Sequence, residues 1–195
     1  MAAGSARQDA GTATCILDAA EELVQVRGFN GFSYADVSAA LGITKAALHY
    51  HFAGKADLGL ALIDRYAGRF GAELAGIDSA CVTPAARLTE YADLYAHVLR
   101  QGKMCLCGML AAEYQTLPQP MQEAVTSFFD ANENWLEKVL EEGSQDGTVH
   151  FPGTARDAAR VVVACLEGAM LVARPYGDIG HFQAVAASLL DGLTR

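Results

Sequence analysis

Charge is scarce in this chain. Only 19% of its 195 residues are charged, against 52% hydrophobic. That balance excludes wholesale disorder, which needs low hydrophobicity and high charge. Long hydrophobic runs are also missing: no stretch reaches the roughly 18 apolar residues that span a bilayer. The richest, Val161 to Ala173, is interrupted by Glu167. Met1, Ala2, Ala3, Gly4, Ser5, Ala6 and Arg7 lack the apolar centre of a secretory signal, so a cytoplasmic location is expected. The five cysteines (15, 81, 105, 107, 165) are odd in number and follow no repeated spacing, which argues against a disulfide framework or a zinc module. There is no Gly-rich phosphate loop, no His-Glu-x-x-His and no plausible metal quartet, so neither an enzyme nor a cofactor or metal is expected. At this length folding can bury roughly 70% of the unfolded surface, enough for a core without staples.

Positive charge is short as well. The formal net charge is −9, which at first argues against a polyanionic partner. The imbalance is uneven, however. Residues 1–56 hold four Lys/Arg and five Asp/Glu, whereas residues 57–195 hold ten and eighteen. The first third is therefore near neutral, and the acidity lies in the rest.

What is present is helical periodicity. Residues 1–11 are small and polar and read as a flexible tail. From Thr12, apolar residues recur at Ile16, Ala20, Leu23 and Val26, with Arg27 and Gly28 closing the helix. Ser33 and Asp36 stand as an N-cap and its third helical residue, and Gly42 ends that short helix. Thr44 caps a third helix to about His51. Further helices are expected over about 54–76, 84–101, 104–116, 118–142, 154–174 and 179–193, with a turn-rich connector after Gly143. No alternating pattern exceeds Thr148 to Phe151, and there is no internal repeat. The expected class is all-α with about nine helices.

The informative segment runs from Phe32 to Phe52. Two short helices are joined by Leu41, Gly42, Ile43 and Thr44. Glycine permits the positive φ of a tight turn, Ile43 can plug the groove between the helices, and Thr44 caps the second helix. This is helix-turn-helix grammar, with the second helix free to enter a major groove. The segment resembles the DNA-binding domain of TetR-type (TetR/AcrR) transcriptional regulators. The resemblance covers about residues 12–65. It rests on Arg27, Gly28 and Phe29 with Phe32 and Ser33; on Ala39, Ala40, Leu41, Gly42 and Ile43; on Thr44 and Lys45 before Leu48, His49, Tyr50, His51 and Phe52; and on Lys55, Asp57 and Leu58.

The resemblance implies an N-terminal helix-turn-helix domain (12–53) and a C-terminal ligand-binding and dimerisation domain (54–195). It places Thr44 and Lys45, Ala46 and Ala47 at the start of the recognition helix. Lysine can donate to guanine O6/N7 and alanine can touch a thymine methyl. Tyr50 and His51 fall where the family meets phosphates; His49 stands where tyrosine is more common. Ser33, Tyr34 and Lys55 are implied as backbone contacts. Lys45 taken alone is equally a solvated lysine, and Tyr50 could be core. A metal pair from His49 and His51 is disfavoured, because i and i+2 lie about 200° apart on a helix.

The last two helices are apolar on nearly every side (Val161 to Val172; Ala184 to Leu190), as helices with several partners must be. The resemblance implies a four-helix bundle with a second copy, which would set two reading helices about 34–36 Å apart on palindromic double-stranded DNA. In the middle helices Tyr66, Phe70, Tyr91, Tyr95, Met104, Met109, Phe128 and Trp135 are either plain core or the walls of a site for a small, largely apolar effector. Cys105 and Cys107 follow Lys103 near a helix start, where a thiol pKa falls. They are redox or electrophile sensors, or small buried hydrophobes. The expected function is a ligand-responsive, homodimeric transcriptional regulator, a repressor released from its operator by that effector. The alternatives are a thiol-sensing repressor and a helical small-molecule-binding protein that does not touch DNA.

Overall fold

In a computed structural model, the structure describes the backbone of residues 2–194 and the side chains of residues 11–194. Among these residues there are nine α-helices and no strand: α1 (Ala2–Arg27), α2 (Tyr34–Leu41), α3 (Lys45–His51), α4 (Lys55–Ala80), α5 (Pro84–Arg100), α6 (Leu106–Ala112), α7 (Gln119–Asp146), α8 (Ala155–Ala173) and α9 (Ile179–Thr194). Single 3-10 turns follow α6 (Tyr114–Thr116) and α8 (Arg174–Tyr176). No helix is long and apolar enough to cross a membrane.

Of the boundaries that differ from the sequence expectation, two have a clear local reason. Helix α1 starts at Ala2 rather than near Thr12, because the alanines, Arg7 and Gln8 of the expected tail are strong helix formers; Met1 lies outside the described residues. Helix α7 runs through Gly143 and stops at Gly147, whose φ is +76°. Gly143 serves close packing instead: a Cβ there would collide with the Val149 side chain.

The chain divides into two compact units, residues 1–66 with 106–125, and residues 67–105 with 126–195. The first unit therefore takes in α6 and the start of α7, which sequence alone assigned to the ligand-binding part. Its core is built from Ile16, Val24, Phe32, Val37, Leu48, Leu58, Leu62, Leu106, Leu110 and Met121. Helix α1 packs on α2 and on α6. Arg65 of α4 ties to two carboxylates of α1, Asp18 at 2.8 Å and Glu21 at 2.7 Å.

In the second unit α5 packs on α8 and α9, and α8 on α9. Leu88, Tyr91, Leu136, Leu140, Val162, Leu166, Met170 and Phe182 fill its core. Thr83 and Thr154 cap α5 and α8 by accepting from the N–H groups of Ala86 and Asp157. One residue breaks the apolar rule. Glu167 of α8 has a buried oxygen, Oε1, with no hydrogen-bond partner. Burial pushes its pKa up to about 7, against the downward pull of a hydrogen bond from the Cys105 thiol.

The ordinary value for this carboxyl is 4.5. Between that value and about 7 the native state binds the more protons, so stability falls as pH rises through this window and then levels off. Replacing Glu167 with Gln should flatten the decline between pH 5 and 8. It should also stabilise the protein at pH 8 by on the order of 1–3 kcal/mol, read as urea midpoints at the two pH values.

Candidate nucleic-acid interface

The local sequence dictates how α3 is presented. Helix α2 ends at Gly42, whose φ of +65° closes the turn with its N–H on the Ser38 carbonyl. Thr44 caps α3 by accepting from the Ala47 N–H at 3.1 Å. Leu48 is fully buried and anchors α3 on its inner side. At 100° per residue, Ala46 and Tyr50 fall opposite Leu48, and Lys45 and His49 flank it at about 60° and 100°. All four are exposed, Tyr50 by 75%. A 75% exposed tyrosine is presented outward and is not core.

Three of the residues expected on the DNA backbone have hydrogen-bond partners within the chain. The Ser33 hydroxyl and N–H both donate to Asp36 Oδ2, at 2.6 and 2.7 Å. The Tyr34 hydroxyl donates to the Phe52 carbonyl at 3.0 Å, and burial with the nearby Asp57 charge pushes its pKa up to about 12. The Lys55 Nζ donates to the carbonyls of Phe29 and Phe32, each at 2.5 Å, and lies 4.5 and 4.3 Å from the centres of their rings. These bonds tie the reading helix to the chain around it, using two of the three Lys55 N–H donors. His49 is intermediate: its ring rests against Tyr34, 4.8 Å between centres, and Nδ1 lies 3.0 Å from the Ala53 carbonyl. His51 is half-buried.

Sequence reasoning missed the partner of this arrangement. Glu113, after α6, accepts from the Phe29 N–H at 2.6 Å and the Asn30 N–H at 3.2 Å. Asn30 Nδ2 donates to Thr116 Oγ1 at 2.7 Å. Gly28 has a φ of +84°, and a Cβ on it would lie 2.7 Å from Glu113 Oε1. The α1–α2 turn thus has its N–H groups held by Glu113 and its carbonyls by Lys55. The separation of more than 80 residues leaves no local signal; only the glycine after Arg27 hinted at a close approach.

In the second unit, Phe70, Tyr91, Tyr95, Phe128 and Trp135 come together. Tyr91 stacks on Trp135 at 5.5 Å, and Phe70 meets Tyr91, Tyr95 and Phe128 edge-on. The Tyr91 hydroxyl is 3.0 Å from that of Tyr95 and donates to Asn132 Oδ1 at 3.1 Å. The rings fill the space they share. Met104 lines a cleft of its own unit, and Tyr66 and Met109 fall in the first unit. Cys105 and Cys107 are 2% and 0% exposed. The Cys105 thiol bonds to the Glu167 carboxyl, a neighbour of the wrong charge for a thiolate. Burial of this kind is common to small hydrophobic cysteines.

An exposed helix set after a capped glycine turn in an all-α fold is the arrangement of a helix-turn-helix DNA-binding domain. Residues 16–62 match the family described as bacterial regulatory proteins, tetR family, and residues 84–188 match the transcriptional regulator LmrA/YxaF-like C-terminal domain. A solved TetR-family regulator from Agrobacterium tumefaciens is 33% identical, with a TM-score of 0.93 over 96% of this chain and 100% of that one. The HTH-type transcriptional regulator LmrA of Bacillus subtilis is 28% identical over 92% of this chain and 95% of its own length. The HTH-type transcriptional repressor DhaR of a Mycobacterium species is 23% identical over 74% and 73%. The chain belongs to the TetR family of bacterial regulatory proteins.

Removing the carbonyl clip should cost stability before it costs DNA contact. Lys55→Ala leaves two half-buried carbonyls without their donor, an expected loss of about 1–3 kcal/mol. Gly28→Ala should lose at least about 1 kcal/mol through the positive φ alone. Thermal melts of both variants without DNA check this; unchanged melting would return Lys55 to the set of phosphate contacts.

Proposed function

We propose that the protein is a ligand-responsive repressor that binds a palindromic operator as a homodimer and leaves it when a small, largely apolar effector is bound. The observation that carries the DNA half is the face of α3: Lys45, Ala46, His49 and Tyr50 are exposed together on a helix anchored by Leu48. Residues 12–53 form the reading head. Lys45 and the two alanines after it approach base edges, and Thr44, His49, Tyr50 and His51 approach phosphates. Ser33, Tyr34 and Lys55 shape the head from behind.

The paired copy is supported by the apolar surface of α8 and α9. Val161, Leu171 and Val172 are 58–59% exposed on α8, and Val185 is 39% exposed on α9. Residues 161, 165, 168 and 172 lie along one stripe at helical spacing. Cys165 shares a shallow groove with Ala184, Val185, Ser188 and Leu189. Exposed apolar stripes on two adjacent helices are the material of an isologous four-helix interface. A dimer also answers the shortage of cations. Each neutralised phosphate adds about 0.9 to the salt slope of affinity, and one near-neutral head supplies few.

The repressor role is supported by the mycobacterial relative named as a transcriptional repressor, and residues 84–188 match a regulator C-terminal domain separate from the reading head. Effector and operator are coupled when two dimer geometries differ in affinity for both.

Three measurements test this reading. Selection of bound duplexes from a random pool should return a palindrome, and a site without two-fold symmetry would sink the dimeric reader. On the selected duplex, Lys45→Ala should relax preference at one base step by about 1–3 kcal/mol, whereas Tyr50→Phe should weaken binding evenly across sequences. Val172→Glu combined with Val185→Glu should give a monomer in sedimentation and abolish operator binding; a variant that still sediments as a dimer would move the interface elsewhere.

A further inference from the structure

The second unit holds a cleft of about 350 Å³ where the end of α5, the end of α8 and the start of α9 meet, a size within the range of small-molecule sites. Its lining is mixed. Met104 and Ile179 are among its apolar residues, and Arg100, Lys103 and Arg174 bring three cations to it. In a chain with 14 Lys and Arg against 23 Asp and Glu, that concentration runs against the overall balance. The other arginines of α5 and α8 are occupied: Arg87, Arg156 and Arg160 all sit in ion pairs. Arg100 and Lys103 form none among the described residues. Arg100 stands in the last turn of α5, where a cation suits the helix dipole, yet its guanidinium donates to no carbonyl there.

Asp178 is the single acid of the lining. Its Oδ1 accepts from the Gly180 N–H at 2.8 Å and its Oδ2 lies 3.6 Å from His181 Nδ1. It is engaged at the start of α9, and Arg100 and Lys103 keep their charge for a ligand.

We propose that this cleft takes the anionic head of a small amphipathic effector, a carboxylate or phosphate on an apolar body. The proposal rests on the ligand-responsive reading above and adds the head group to it. A guanidinium fork and an ammonium are suited to an oxyanion, and the apolar lining suits the body. The placement also offers a route to the reading head through the chain itself. Gly102 to Met104 lead directly into α6, and Glu113, which holds the α1–α2 turn, stands one residue past its end.

The test is calorimetric titration of the full chain, without DNA, with octanoate, octyl phosphate, octanol and octylammonium. One of the two anions should bind about tenfold or more tightly than octanol and octylammonium, and the tighter of the two identifies the head. Arg100→Gln with Lys103→Gln should weaken anion binding about tenfold or more while leaving octanol binding as in the parent. Arg100 is exposed, so Arg100→Gln alone supplies the comparison should the pair unfold. Anions binding no better than octanol, or binding the variants as tightly as the parent, would overturn the proposal. Operator release is read separately by gel shift. Anion binding that depends on Arg100 and Lys103 but releases no operator upholds the cleft and overturns the ligand-responsive repressor. Release that ignores these residues overturns the cleft alone.

Discussion

The reading head depends on how one turn is satisfied. The chain between α1 and α2 exposes backbone N–H groups and carbonyls that no regular helix can pair, and part-buried groups of this kind must find partners. An anion takes the donors, and a cation takes the acceptors: Glu113 accepts from Phe29 and Asn30, and Lys55 donates to Phe29 and Phe32. Desolvation works against the Lys55 charge and lowers its pKa, while the charges of Glu113 and Asp36 oppose that shift. The two side chains never need to meet, because the peptide groups between them carry the complementary dipoles. This fixes the entry to α2, and through the Gly42 turn the direction in which α3 faces.

A near-neutral head joined to an acidic body has consequences for the way DNA is read. Non-specific attraction grows with the number of neutralised phosphates, so a head with few free cations gains little from it. Two of the three Lys55 donors already serve the turn, and the dimer proposed above doubles whatever contacts one head makes. The same economy favours selectivity, since a reader with weak backbone attraction loses little to random sequence.

The second unit combines a packed aromatic centre with a poorly satisfied acid. Tyr91, Tyr95 and Asn132 satisfy one another by hydrogen bonds, whereas Glu167 keeps a buried oxygen without a partner. Close-packed aromatic clusters resist continuous deformation and shift between discrete arrangements. A buried carboxyl with a pKa near 7 raises the energy of the arrangement that contains it.

Several features were legible in the amino-acid sequence because they are local. The helices and most of their ends follow from 3.6-residue periodicity, from threonine caps at residues 44 and 154, and from glycines that close helices at residues 28 and 42. The helix-turn-helix follows from the spacing of Gly42, Thr44 and Leu48, and the apolar surplus of α8 and α9 from composition. Tertiary structure decided which of the residues near α3 face outward and which hold it. Ser33, Tyr34 and Lys55 have the chemistry of phosphate ligands, but distant carbonyls and carboxylates compete for the same hydrogens. It also placed Glu113 on the α1–α2 turn, closed the aromatic rings on one another, and gathered Arg100, Lys103 and Arg174 at one cleft. Each of those outcomes depends on groups far apart in the chain, and a hydrogen bond is set by distance and angle in space, which residue order does not encode.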